Sequence, residues 1–163
     1  MALKIGDKAP DFKANDELGK TVSLADFRGK APVVLYFYPK AETPGCTAEA
    51  KCFRDNWDAI KPMGAIVLGM SSDSEEKQKS FKDHHKLQFT LLSDKNKSIR
   101  EAYDAKGFII PARMTYIIDK EGIIRGIHNS QMDPKSHIDF AIKTLKEISS
   151  TQEKTSPEAS GQE

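Results

Sequence analysis

Apolar and polar positions along this chain follow two rhythms, one suited to strands and one to helices. Val33-Val34-Leu35-Tyr36-Phe37-Tyr38 is an uninterrupted run without a charge, which predicts a strand buried on both faces. Ala65-Ile66-Val67-Leu68-Gly69-Met70 is a second such run, and Thr90-Leu91-Leu92-Ser93 a weaker third. Met114-Thr115-Tyr116-Ile117-Ile118 and Ile123-Ile124-Arg125-Gly126-Ile127 flank Asp119-Lys120-Glu121-Gly122, which reads as a hairpin around a turn rich in Asp and Gly.

Helical spacing fills the intervals. The last segment is the clearest: Asp133 suits a cap and Pro134 the first helical position. Ile138, Ala141, Ile142, Leu145 and Ile148 then fall on one face. Ser72 and Glu75 have capping-box spacing ahead of a helix running to about His85. A further helix is expected to begin near Pro44–Cys46 and end before Pro62-Met63-Gly64, with Phe53 and Trp57, four apart, as core anchors. Strand, helix, strand, helix, hairpin and closing helix together describe an α/β sandwich: a mixed central β-sheet flanked by helices.

Composition sharpens this in two places. From Ser149 to Glu163 no apolar residue exceeds alanine, too little to offset ordering entropy. Residues 1–148 are therefore expected to form one domain, and 149–163 a disordered tail. Charge is balanced, with Lys+Arg 25 against Asp+Glu 24, and gives no reason to expect nucleic acid or an acidic membrane as partner. No run approaches the roughly 18 apolar residues of a membrane span. The opening MALKIGDKAPDF is interrupted by charges too early for a signal peptide's apolar segment. A cytoplasmic location follows as the expectation, and two cysteines in a reducing compartment read as chemistry or core filling rather than a structural disulfide.

The candidate chemistry lies where the strongest strand gives way to a helix, in Tyr38-Pro39-Lys40-Ala41-Glu42-Thr43-Pro44-Gly45-Cys46-Thr47. In open α/β sheets ligands bind at the carboxyl ends of strands. Thr43 suits an N-cap and Pro44 the first helical position, which puts Cys46 in the first turn. Unpaired backbone N–H groups and the positive end of the helix dipole there favour thiolate over thiol, and the thiolate is the nucleophile. The plainer reading is a small core cysteine, since thiols are often buried.

Tyr-Pro-Lys-x-x-Thr-Pro-Gly-Cys-Thr resembles the active-site signature of peroxiredoxins, and its Thr-Pro-Gly-Cys-Thr portion that of the Q-type, or bacterioferritin comigratory, branch. The likeness opens with Gly6-Asp7-Lys8-Ala9-Pro10-Asp11-Phe12 and passes through Leu24-Ala25-Asp26-Phe27-Arg28-Gly29-Lys30 and Phe53-Arg54-Asp55. It ends with Arg113-Met114-Thr115-Tyr116-Ile117-Ile118-Asp119-Lys120-Glu121-Gly122, leaving only the tail after about Ile148 outside. The resemblance implies a thioredoxin-like fold and a thiol-dependent peroxidase that reduces hydrogen peroxide and organic hydroperoxides through a sulfenic acid on Cys46. It implies that Thr43 and the Cys46 backbone N–H hold the peroxide oxygens, that Arg113 stabilises thiolate and developing charge, and that Pro39 shields the sulfur. Thioredoxin, glutaredoxin or a small thiol would regenerate the enzyme, which is expected to be monomeric.

One departure stands out. Many Q-type enzymes carry a resolving cysteine five residues after the peroxidatic one, where this chain has Lys51; Cys52 follows. On a helix, six steps turn a side chain about 240° and raise it about 9 Å, against about 140° for five. That rise exceeds the roughly 4.4–6.8 Å Cα separation of a disulfide, so a Cys46–Cys52 bond requires unwinding. Three readings stand: Cys52 resolves after local unfolding, forms an intermolecular disulfide, or is a bystander while an external thiol reduces Cys46. The last is favoured slightly, because a resolving sulfur must reach the sulfenic sulfur itself.

Neither metal nor cofactor is expected. His84, His85, His128 and His137 lack ligand spacing and read as solvated or locally hydrogen-bonded, and no glycine-rich phosphate loop occurs. A thioredoxin-type reductase would need a Cys-x-x-Cys that is absent. A cysteine hydrolase would need a base histidine whose context nothing here supports. A redox sensor oxidised at Cys46 without efficient turnover uses the same chemistry and stays as the alternative.

Overall fold

The expected alternation of strands and helices is present in the computed structural model, which describes residues 3–38, 44–95, 97–103, 114–129 and 133–155. The strands are β1 (Lys13–Asp16), β2 (Thr21–Ser23), β3 (Val33–Phe37), β4 (Ile66–Ser71), β5 (Thr90–Ser93), β6 (Met114–Ile118) and β7 (Ile124–Asn129). The helices are α1 (Pro44–Asp55), α2 (Trp57–Ile60), α3 (Glu75–His85), α4 (Ser98–Ala102) and α5 (Pro134–Thr155). The described strands form one sheet in the order β2-β1-β5-β4-β3-β6-β7. β3, β4 and β5 run parallel at its centre, and the outer neighbours pair antiparallel. This is the mixed, helix-flanked sheet that the pattern predicts.

Two-residue periodicity explains why β3 is apolar throughout. Val34, Tyr36 and Tyr38 enter one core layer with Cys46, Ala50 and Phe53 of α1, Phe81 of α3, and Ile138, Ala141 and Leu145 of α5. Val33, Leu35 and Phe37 enter the opposite layer with Phe12, Leu24, Tyr103, Tyr116 and Ile118. Each such side chain contributes about 1.5–3 kcal/mol through burial, which makes the register of β3 hard to slip. Phe53 is fully buried, while Trp57 is partly buried and stacks on Phe89 with centroids 6.2 Å apart.

Differences from the sequence reading have local causes. The α3 cap is Ser74, not Ser72: Ser74 is extended (φ −69°, ψ 163°) and accepts from the Lys77 N–H. Glu75 instead engages Lys95 and Asn15 across the sheet edge. The expected single helix after Cys46 breaks at Asn56, whose backbone and side-chain nitrogens both donate to the Cys52 carbonyl, at 3.1 and 2.8 Å. α5 continues to Thr155, so the segment expected to be a tail from Ser149 begins as helix; residues 156–163 lie outside the described residues. A polar composition does not forbid helix in turns that extend a packed one, because nucleation has already been met. β1, β2 and α4 are elements the pattern did not mark.

Candidate active site

β3, β4 and β5 all end at one edge of the sheet, and α1 starts beside that edge. Cys46 sits in the first turn of α1, with Pro44 as the first helical residue, and is 1% exposed. Pro39, Thr43 and Arg113, the other expected site residues, lie outside the described residues. The thiol packs into the core layer that contains Tyr38, Ala50 and Phe53.

Around it the fold assembles polar groups that sequence reading missed. Tyr38 closes β3: its N–H donates to the Met70 carbonyl at 3.0 Å, and its carbonyl accepts from Arg100 Nη2. Its hydroxyl donates to Gln78 Oε1 of α3. Gln78 Nε2 in turn donates to Ser71 Oγ (3.1 Å) and the Leu92 carbonyl (2.7 Å). Burial drives the Tyr38 phenol well above the usual tyrosine range, so it remains a neutral donor. Arg100 is 1% exposed and lies 5.3 Å from the Phe37 ring centroid. Burial lowers its pKa from the usual arginine value, and the nearby Asp94, Cys46 and Tyr38 oppose that shift.

One helical turn along α1 from Cys46, Glu49 is fully buried. Its Oε2 lies 3.6 Å from Nδ1 of His137 on α5, which is also fully buried and hydrogen-bonded to Thr115 Oγ1 of β6 at 2.7 Å. His128 bonds Ser136 Oγ at 2.8 Å. The one signal for this cluster in the sequence is that His137 precedes Ile138 on the apolar face of α5.

Cys52 is partly buried on the same continuous helix as Cys46, and both cysteines are thiols. Burial raises the Cys52 pKa, and Glu49, Asp55 and Asp139 raise it further against the weaker opposing pull of Lys135. A thiol so placed is a poor nucleophile at neutral pH. An open cleft of about 420 Å³ lined by Lys13, Asn15, Thr21, Glu75, Ser93 and Lys95, among others, lies by β1 and β5 and includes neither cysteine. Among the described residues no group of three or more His, Cys, Asp or Glu is arranged to hold a metal ion. No described helix is long and apolar enough to cross a membrane.

A thioredoxin-like sheet with a buried thiol in the helical turn beside its carboxyl edge defines a thiol-dependent oxidoreductase architecture. Residues 5–127 match the AhpC/TSA family, and the chain belongs to that family. Peroxiredoxin Q, chloroplastic, of Sedum lineare is 43% identical over 146 residues, covering 88% of this chain and 78% of that protein. The crystal structure of peroxidoxin BcpB from Mycobacterium tuberculosis superposes with a TM-score of 0.84 at 33% identity, covering 90% of this chain and 98% of that one. A structure of the Xanthomonas campestris bacterioferritin comigratory protein, described for its alkyl peroxide reduction activity, gives 0.78 at 26% identity, covering 84% and 91%. The chain is thus a peroxiredoxin of the Q type, an enzyme that reduces peroxides with thiols.

Proposed function

We propose that Cys46 is the peroxidatic nucleophile, and that hydrogen peroxide and organic hydroperoxides are reduced at the carboxyl edge of β3. The carrying observation is the burial of Cys46 in the first turn of α1, inside a peroxiredoxin fold. The thiolate sulfur attacks one peroxide oxygen, the O–O bond breaks, and hydroxide or alkoxide leaves and takes a proton. The sulfur becomes a sulfenic acid. A second thiol then attacks that sulfur, water departs, and the resulting disulfide is reduced by a further thiol.

In this reading Thr43 and the Cys46 N–H align the peroxide, Arg113 stabilises the charge that develops on its oxygens, and Pro39 keeps water from the sulfur. The resolving thiol comes from outside the chain, from thioredoxin, glutaredoxin or a small thiol. The raised pKa of Cys52 and its place on the same intact helix support that choice over an internal partner. A cytoplasmic, monomeric enzyme is part of the same proposal, although the Sedum relative is chloroplastic. Trapping with dimedone after one equivalent of peroxide tests the assignment. An adduct at Cys46 is expected; an adduct at Cys52 alone would overturn it.

A further inference from the structure

Arg100 is a buried cation that the peroxide chemistry described above does not use. Taking an ion out of water costs several kcal/mol unless it is paired and hydrogen-bonded, so a fully buried guanidinium marks a place where charge is useful or very well compensated. Arginine keeps its proton throughout the physiological range, so this charge is permanent.

Its surroundings all lie at one edge of the sheet. The guanidinium rests over Phe37 of β3, with 5.3 Å to the ring centroid, and Nη2 donates to the carbonyl of Tyr38, the next residue. The Tyr38 N–H is already held by Met70 of β4, so with the Arg100 bond both main-chain polar groups of Tyr38 are held, just before the segment that leads to α1. Asp94 holds the base of α4 by accepting the N–H groups of Ile99 (3.2 Å) and Arg100 (2.8 Å). Among the described residues, the ionisable groups around the guanidinium are Asp94 ahead of α4, Tyr38 after β3 and Cys46 at the start of α1. Tyr38 is kept neutral by burial, so among the described groups Asp94 and the Cys46 sulfur are the ones able to carry negative charge there.

We propose that Arg100 is a positioning residue for the Cys46 chemistry: it locks the end of β3 through the Tyr38 carbonyl and sets a permanent positive charge at the sheet edge beside which α1 begins. The inference rests on Cys46 as the reacting thiol. Arg100 differs in role from Arg113, which would touch the peroxide oxygens. Arg100 acts through the main chain and through its field, which salt screens weakly in a buried setting.

The test compares Arg100→Met, Arg100→Gln and Arg100→Lys in a Cys52→Ser background. The pH profile of Cys46 alkylation by iodoacetamide is read beside urea midpoints. Arg100→Met and Arg100→Gln should move the profile upward by about one pH unit, and Arg100→Lys should restore most of the shift. Should Arg100→Met not fold, Arg100→Gln carries the same comparison, since glutamine keeps a donor for Tyr38 without the charge. Lower urea midpoints with an unmoved alkylation profile would show a purely structural arginine and overturn the proposal. Peroxide turnover of Cys46→Ser, run alongside, separates the two claims. Turnover retained by that variant removes the reading of Cys46 and this inference with it. An inactive Cys46→Ser with unmoved Arg100 profiles overturns the role of Arg100 alone.

Discussion

Replacing Gly69 by alanine probes how tightly the sheet supports the cysteine helix. A β-carbon at Gly69 would stand 2.9 Å from Tyr36 Cζ, Tyr36 Oη and Leu91 Cδ2. Carbon atoms in contact prefer about 3.5–4.0 Å, so each neighbour must retreat by more than half an ångström. Tyr36 has nowhere to go. Its ring stacks on Phe53 of α1 at 4.7 Å and 15°, packs against Tyr38 at 5.5 Å, and meets Phe89 edge-on at 6.0 Å. Overpacking of a close-packed core costs about 1–3 kcal/mol, which for a chain of this size lowers Tm by about 3–10 °C. Because Tyr36 bears on Phe53, two turns along α1 from Cys46, the displacement should also disturb the thiol's setting and slow peroxide reduction. Urea denaturation followed by circular dichroism, with peroxide consumption on the same preparations, reads both effects. A Gly69→Ala protein with an unchanged midpoint and unchanged turnover would refute the packing argument.

Two further perturbations read the electrostatics. In a Cys46→Ser background, Glu49→Gln or Asp139→Asn removes a negative charge that disfavours the Cys52 thiolate, so the alkylation profile of Cys52 should move to lower pH; an unmoved profile in both would refute the role of these two carboxylates. Glu75 is held at about 2, against an ordinary value of 4.5, by hydrogen bonds first from Lys95 and then from Asn15. A depressed carboxylate adds stability that is fully present above its unfolded value and is lost as pH falls through the folded one. Glu75→Gln should therefore flatten the stability profile between about pH 4.5 and 2 while costing most near neutrality. Parallel profiles for the two proteins across that window would contradict the assignment.

Much of the frame was readable because it rests on long apolar periodicity. β3, the hairpin β6–β7 and α5 each carry enough core residues to outvote local ambiguity. β1 and β2 did not show because Lys13–Asp16 and Thr21–Ser23 are short and largely polar, and the pairing of β1 with β5 and of β2 with β1, rather than their own pattern, makes them strands. α4 spans five residues, too short for an apolar face to repeat, and two of its N–H groups are met by Asp94. The choice between Ser72 and Ser74 turned on which serine adopts extended backbone, and spacing alone does not carry that. The placement of Cys46 in the first turn of α1 was legible from its position between strand and helix. Arg100, Glu49 and His137 were not: a charged residue reads as solvated until a fold buries it, and each is brought to the site by tertiary contacts between elements distant in sequence.

Peroxide consumption by wild type, Cys46→Ser and Cys52→Ser, with dithiothreitol or with thioredoxin and its reductase as electron donor, tests the central claim most directly. Wild type and Cys52→Ser should turn over alike, and Cys46→Ser should consume no peroxide with either donor. Turnover by Cys46→Ser would contradict the assignment of the nucleophile, and a Cys52→Ser protein that works only with dithiothreitol would make Cys52 the resolving thiol after all.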